Sequence, residues 1–199
     1  MHLTRFYRYR RIGEAIQHRL LGRILGISGI ANFQTWIDRE KSEIVEVSFP
    51  QVDMQNLPFA DEQFDVVISD QVITHLENPH RALSEAFRVL KPGGIGIHTT
   101  RVYGPSDLRP SDYFRFTTEG LGTACPRGIS VLQLESWGNR FAIFLMLIHD
   151  EFFRFMEIPD RPGIRSWLAM YNEKGFEIHT WIVARKSEPA PASHSRISV

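Results

Sequence analysis

The stretch from Phe64 to Thr99 constrains the fold more than any other part of the chain. It opens with Phe64-Asp-Val-Val-Ile-Ser69, apolar enough to be buried on both faces, as central strands of a parallel sheet are. Asn78-Pro79 then supplies a cap and a proline at the first helical position, and Ala82, Leu83, Ala86, Phe87 and Leu90 recur at helical spacing. Lys91-Pro-Gly-Gly94 ends that helix, and Ile95-Gly-Ile-His-Thr99 reads as the next strand. Strand, helix and strand in this order form a parallel crossover unit.

The same alternation runs through the rest of the chain. Strands are expected at Arg23–Ser28, Glu43–Val47, Ile129–Ser136 and Phe176–Ala184, and helices at Asn32–Arg39, Thr117–Ala124 and Asn139–Met156, with Asn32 as an N-cap. The predicted class is α/β, a mostly parallel sheet with helices on both faces. The 199 residues suit one main domain at 23–186, preceded by an N-terminal helical segment at 1–22 and followed by a Pro-, Ala- and Ser-rich tail at 187–199 expected to be disordered. The loop from Arg101 to Phe116 is long for a compact domain, and such loops are commonly functional.

Composition narrows the partners. The 23 Lys and Arg balance 23 Asp and Glu, so no global field favours a nucleic acid. Charge is segregated only at the N-terminus, where Arg5, Arg8, Arg10, Arg11, Arg19 and Arg23 face the single acid Glu14. An anionic ligand or a membrane surface would suit that run, but a solvated helix face is the stronger expectation. Cys125 is the only cysteine, which excludes an intrachain disulfide and a cysteine metal cluster and suits a reducing cytoplasm. The histidines lack metal-site spacing. The longest apolar run, Phe141 to Ile148, falls well short of the about 20 residues that span a bilayer, and no signal peptide is visible.

Ligands of open parallel sheets bind beyond the carboxyl ends of the strands. That rule selects Gly26 to Gly29, Glu46 to Asp53, Ser69 to His75 and Thr99 to Tyr113. Gly26-Ile-Ser-Gly29 can bring backbone N–H groups close to a ligand, although glycine also serves simple strand-to-helix turns.

Three segments in this order carry a resemblance: Val52-Asp-Met-Gln-Asn-Leu-Pro-Phe-Ala-Asp-Glu-Gln-Phe-Asp-Val-Val-Ile-Ser69, His75-Leu-Glu-Asn-Pro79 and Arg88-Val-Leu-Lys-Pro-Gly-Gly94. Together they resemble the middle of a class I S-adenosylmethionine-dependent methyltransferase of the type 11 kind, a Rossmann-like fold, over roughly Ile24 to Leu121. Pro110-Ser-Asp-Tyr-Phe-Arg-Phe-Thr117 and Ser136-Trp-Gly-Asn-Arg140 resemble a bacterial subgroup with a shortened N-terminal half. The resemblance implies S-adenosylmethionine as cofactor. It places Gly26, Ser28 and Gly29 in the turn that passes the methionine part, Asp53 with the Met54 backbone at the adenine, and Ser69, Asp70 and Gln71 nearest the sulfonium. His75 falls near the reaction centre.

The chain departs from the family pattern at two motifs. The first usually carries an acid where Gly26 stands. The acid that ends the second strand and grips the ribose is replaced by Ser48, with Glu46, two residues earlier on the same strand face, as a substitute. Between Val47 and Asp53 there is no room for a crossover helix.

Methyl transfer needs a held sulfonium in line with a nucleophile and, for some acceptors, a base. His75, Asp107 and Tyr113 are the candidates for that role, and Arg109 and Arg115 for an anionic substrate. Asp112-Tyr-Phe-Arg-Phe116 equally reads as an anchor of the loop to the core. The expected function is methyl transfer to a small molecule, a secondary metabolite or glycan precursor. The alternatives are a degenerate, non-catalytic scaffold subunit and a cofactor-binding enzyme doing other chemistry. The segment Phe141 to Phe155 is apolar on two faces, Phe141, Phe144, Leu145, Ile148, Phe152 and Phe155 beside Ile143, Met146 and Leu147. One core cannot bury both, so a homodimer or a lipid-like substrate is expected there, the dimer first.

Overall fold

A computed structural model describes residues 1–17, 20–107 and 109–188. Of the tail expected to be disordered, residues 189–199 lie outside the described residues. The elements in chain order are α1 (Leu3–Ile16), β1 (Leu20–Ile27), β2 (Ile37–Val47), β3 (Phe64–Asp70), α2 (Pro79–Val89), β4 (Leu90–Arg101), α3 (Thr118–Ala124), β5 (Ile129–Trp137), α4 (Arg140–Arg154), α5 (Ile164–Met170) and β6 (His179–Lys186). The strands form one sheet in the order β2-β1-β3-β4-β6-β5. β1 to β4 pair in parallel, and β6 runs antiparallel to both β4 and β5. This is the α/β architecture expected, with an apolar cluster on each face of the sheet. One joins α1, α4 and α5 to the sheet and the other joins α2 and α3 to it.

The crossover unit read from sequence is reproduced closely. The Asn78 side chain accepts from the backbone N–H of Arg81 at 3.0 Å and Pro79 opens α2. Ala82, Leu83, Ala86 and Phe87 are buried. Strand β4 begins earlier than expected: Leu90 already pairs with Phe64, and Pro92 to Gly94 form an irregularity within the strand before Ile95 pairs with Val66.

The first third differs most. Where the sequence predicts a helix over Asn32–Arg39, the chain makes a 3-10 helix at Ala31–Trp36 and enters β2 at Ile37. Residues 28–36 are too few to hold an α-helical crossover and return to the start of the sheet. The surface such a helix would cover is taken by α1, which buries Leu3, Tyr9, Ile12 and Ile16 in one cluster with Ile24, Val66, Ile68 and Ile97. Two of the N-terminal arginines therefore depart from a solvated face, while Arg10 stays exposed. Arg11 donates to Glu135 of β5 at 2.6 Å, and Arg8 is buried. Strand β2 starts six residues before the expected Glu43, because Asp38, Arg39, Glu40 and Lys41 hide it from an apolar pattern. Charges of that kind suit an edge strand, where they oppose unwanted pairing.

Toward the C-terminus, β6 starts at His179 rather than Phe176, and α5 is a helix the sequence pattern did not announce. Helix α4 ends at Arg154 and is broken at His149, which has non-helical backbone angles. It buries only Ala142 and Met146, and leaves Phe144 61% and Leu147 70% exposed. No helix among the described residues is long and apolar enough to cross a membrane, and no group of three potential metal ligands occurs among them.

Candidate active site

The carboxyl ends of β1, β2 and β3 bring most of the predicted residues to one edge of the sheet. Gly26 pairs with Glu46 and Ile27 with Val47 in the parallel register of β1 and β2. After β1 the backbone turns through Ser28 and Gly29, both left-handed with φ of 62° and 95°, and the Ser28 N–H donates to the Val47 carbonyl at 2.8 Å. A Cβ on Gly29 would meet Glu46 Oε2 at 3.8 Å, so the carboxylate stands beside this turn. Glu46 is exposed and takes no hydrogen bond among the described residues. Gly26 has a different reason to be glycine: a Cβ there would lie 2.5 Å from Cγ2 of Ile30.

Ser48 is exposed, and its carbonyl accepts from the Val52 N–H at 3.0 Å. Asp53 caps the 3-10 helix Met54–Asn56, its Oδ1 accepting from the Gln55 N–H at 2.8 Å. Met54 is buried. The segment that follows is latched to α2 by Arg88, which donates to the carbonyls of Leu57 at 3.1 Å and Phe59 at 2.8 Å and to Asp61 at 2.7 Å. Glu85 holds the same guanidinium at 2.7 Å and accepts from the Leu57 N–H at 3.0 Å. The motif from Leu57 to Asp61 and its distant arginine are thus one structural unit.

Ser69 and Asp70 project to opposite faces of β3. The Ser69 hydroxyl is buried and bonded to His98 Nδ1 at 2.7 Å, which turns its side chain to the α2 face. Burial alone pushes the His98 imidazole down to about 3, so it is neutral at ordinary pH. Asp70 faces α1 instead. It accepts from Tyr9 Oη at 2.5 Å, Asn32 Nδ2 at 2.8 Å and Thr99 Oγ1 at 2.6 Å, and Arg8 lies 3.9 Å away. Burial works against its charged form, yet Arg8 and the three donors together hold its carboxyl below the usual range. The Tyr9 hydroxyl is pushed up to about 12, chiefly by burial. Gln71 follows with a left-handed backbone, φ 61°, its N–H donating to Thr99 Oγ1 at 3.1 Å.

Beyond β3, the candidate bases His75 and Asp107 lie side by side. The His75 Nδ1 contacts the Ser111 carbonyl at 2.9 Å. A carbonyl only accepts, so Nδ1 carries a hydrogen. The ring's Nε2 lies 3.7 Å from Asp107 Oδ2, and Arg101 pairs with the same carboxylate. Tyr113 turns away, donating to Glu77 at 3.0 Å from an exposed position. Arg115 is held by Asp112, and Arg109 is exposed in the loop. Most of Asp112 to Phe116 anchors the loop: Tyr113 N–H donates to the Thr74 carbonyl at 2.7 Å, and Phe116 is buried. Sequence reasoning missed Tyr9, Arg8, Asn32 and Arg101. Asn32 was read as a helix cap and Arg8 as one of a solvated run, and no local pattern marks a side chain that reaches across to another strand.

A methyltransferase-domain family model matches residues 12–97. A protein of Mycolicibacterium smegmatis named as a probable S-adenosylmethionine-dependent methyltransferase is 30% identical over 114 residues, 48% of this chain and 44% of that protein. A sterol 24-C-methyltransferase of Gibberella zeae is 29% identical over 126 residues, 61% of this chain and 31% of that one. The chain thus spans less than half the length of these relatives. Among solved structures, phosphoethanolamine N-methyltransferase 2 of Haemonchus contortus, in complex with S-adenosyl-L-methionine, superposes with a TM-score of 0.60 at 16% identity, covering 91% of this chain and 52% of that one.

Proposed function

We propose that this chain is a class I S-adenosylmethionine-dependent methyltransferase, a reading the methyltransferase-domain match and the named relatives support, and that it moves the methyl group of that cofactor to a small-molecule acceptor. The observation that carries this reading is the open Glu46 carboxylate beside the Ser28–Gly29 turn, at the same edge of the sheet as the His75–Asp107 pair. Two neighbouring hydroxyls on a ribose match the two oxygens of one exposed carboxylate, and a left-handed turn lets backbone N–H groups face the cofactor's carboxylate end. The open carboxylate and the glycine turn fit the cofactor there, and in this reading Asp53 and the Met54 backbone lie toward the adenine. When bound, the cofactor supplies a methyl group on a positively charged sulfur, open to attack in line by the acceptor.

The chain's own residues do the rest. Glu46 orients the ribose, the turn at Ser28 and Gly29 passes the amino-acid portion, and Gln71 limits the methyl end. His75 Nε2 is the atom placed to take a proton from the acceptor, with Asp107 Oδ2 3.7 Å from it. Asp70 has a positioning role, since each of its close donors belongs to the protein. A lipid or secondary metabolite is the acceptor class suggested by relatives such as the sterol methyltransferase. The exposed apolar side of α4 pairs with a second copy of the chain in this reading, and the lone thiol Cys125 suits a cytoplasmic setting.

The second reading, a non-catalytic scaffold, draws on Ile30 filling the space over Gly26 and on the protein spending Asp70 on its own donors. Cofactor binding and methyl transfer by the wild-type protein separate the two. If His75 is the base, His75→Ala lowers turnover about a hundredfold or more with cofactor affinity retained. A wild-type protein that binds no cofactor at millimolar concentration would leave the scaffold reading.

A further inference from the structure

A pocket of about 160 Å³ opens at the carboxyl edge on the far side of Asp70 from Glu46, and its polar lining is Arg5, Arg8, Gln71, Arg101, Arg154 and His179. Four guanidinium groups in one small cavity are costly unless something negative offsets them. The protein supplies only part of that offset. Asp70 lies 3.9 Å from Arg8, Asp107 pairs with Arg101 and Asp150 holds Arg154 at 2.5 Å, while Arg5 has no carboxylate partner among the described residues. Arg8 is 1% exposed, and its Nε is buried with no hydrogen-bond partner among the described residues. His179 records the same field: its imidazole is held well below the ordinary value, first by burial and then by Arg8, Arg101 and Arg154.

We propose that this pocket binds an oxyanion, a phosphate or carboxylate group carried by the methyl acceptor. The volume equals that of about five waters, enough for such a group with a few attached atoms, and planar guanidinium forks suit its oxygens. Gln71 belongs both to this pocket and to the loop that leaves β3, so an acceptor anchored here reaches toward the Glu46 side of the edge. The inference rests on the methyltransferase reading for the identity of the ligand's remainder, but the anion site does not. Met146 and Phe155 line the same pocket, so a short apolar chain attached to the oxyanion would add affinity.

Calorimetric titration of the whole chain with inorganic phosphate, then hexyl phosphate, and separately with S-adenosylhomocysteine tests this. Saturable phosphate binding is expected, and Arg5→Gln with Arg154→Gln, both at partly exposed positions, should weaken it about tenfold to a hundredfold. Those substitutions should leave S-adenosylhomocysteine affinity unchanged. Tighter binding of hexyl phosphate identifies an amphiphilic acceptor, and equal binding a free headgroup; either supports the site. If the protein binds S-adenosylhomocysteine but no phosphate compound, the anion pocket is wrong and the methyltransferase reading stands. Phosphate binding that survives the double substitution also overturns the assignment. Phosphate binding lost in the variant, without any S-adenosylhomocysteine binding by the parent, keeps the pocket and rejects the cofactor reading.

Discussion

Glu46 and Asp70 stand at the carboxyl ends of two parallel strands in one sheet, and their surroundings could hardly differ more. Glu46 is exposed beside a glycine turn with its oxygens open. Asp70 is buried under α1 and receives hydrogen bonds from Tyr9, Asn32 and Thr99. Carboxylates in comparable places thus meet two different settings. The setting is decided by what the preceding chain lays over each: α1 covers the end of β3, and the short 3-10 connection leaves the end of β2 bare.

The largest effect that tests this contrast is on stability. Asp70→Ala leaves Arg8 buried without its carboxylate and three donors without an acceptor, and should cost about 3–5 kcal/mol in denaturant unfolding. Glu46→Ala should stay within about 0.5 kcal/mol of the parent. Equal losses at the two positions would erase the distinction. Next in size, Tyr9→Phe removes one donor to a charged group and should cost about 1.5–3 kcal/mol, because Asp70 then keeps a desolvated oxygen short of a partner.

The pH dependence sharpens the comparison further. His98 and His179 are held neutral in the fold while the unfolded chain takes up protons near the ordinary value of 6.5. Their contribution is complete above that pH and is lost as pH falls toward the folded values, with a slope of up to about 1.4 kcal/mol per pH unit for each. Asp70, whose folded value is depressed, contributes above about pH 4 and loses its part below that. Unfolding followed from pH 7 to 3 should show the histidine slope first, and His98→Gln should flatten it. A smaller effect than at Asp70 or Tyr9 is expected at Asp53, where Ala removes a cap to the Gln55 N–H and should cost about 1 kcal/mol.

The contrast also explains how much the sequence disclosed. The unit from β3 to β4 was legible because strand burial, the Asn78-Pro79 cap and the α2 spacing are each local and agree with one another. Glu46 was legible because the period of a strand puts it on the face of Ser48. The Asp70 clamp was not, since Tyr9, Asn32 and Thr99 come from three separate segments and meet only after α1 docks. The short connection before β2 went the same way: Asn32 carries a cap's signature, but its amide is drawn to Asp70 and the buried Phe33 fixes a tighter turn. On α4, spacing identified two apolar sides but divided them wrongly: Met146 is buried and Ile143 and Leu145 pack on the core, while Phe144 and Leu147 are exposed with Phe141, Ile148 and Phe152. Sedimentation at tens of micromolar should show a dimer there, reverting to monomer with Leu147→Glu and Phe144→Glu.

The most direct test of the central claim is calorimetric titration of S-adenosylmethionine into the parent protein and the Glu46→Ala variant. Saturable binding that weakens about tenfold to a hundredfold in the variant, with its folding intact, is the predicted result. Binding of equal strength in both would contradict the assignment of the β2 end as the ribose site, and no binding to the parent at millimolar concentration would contradict the account as a whole.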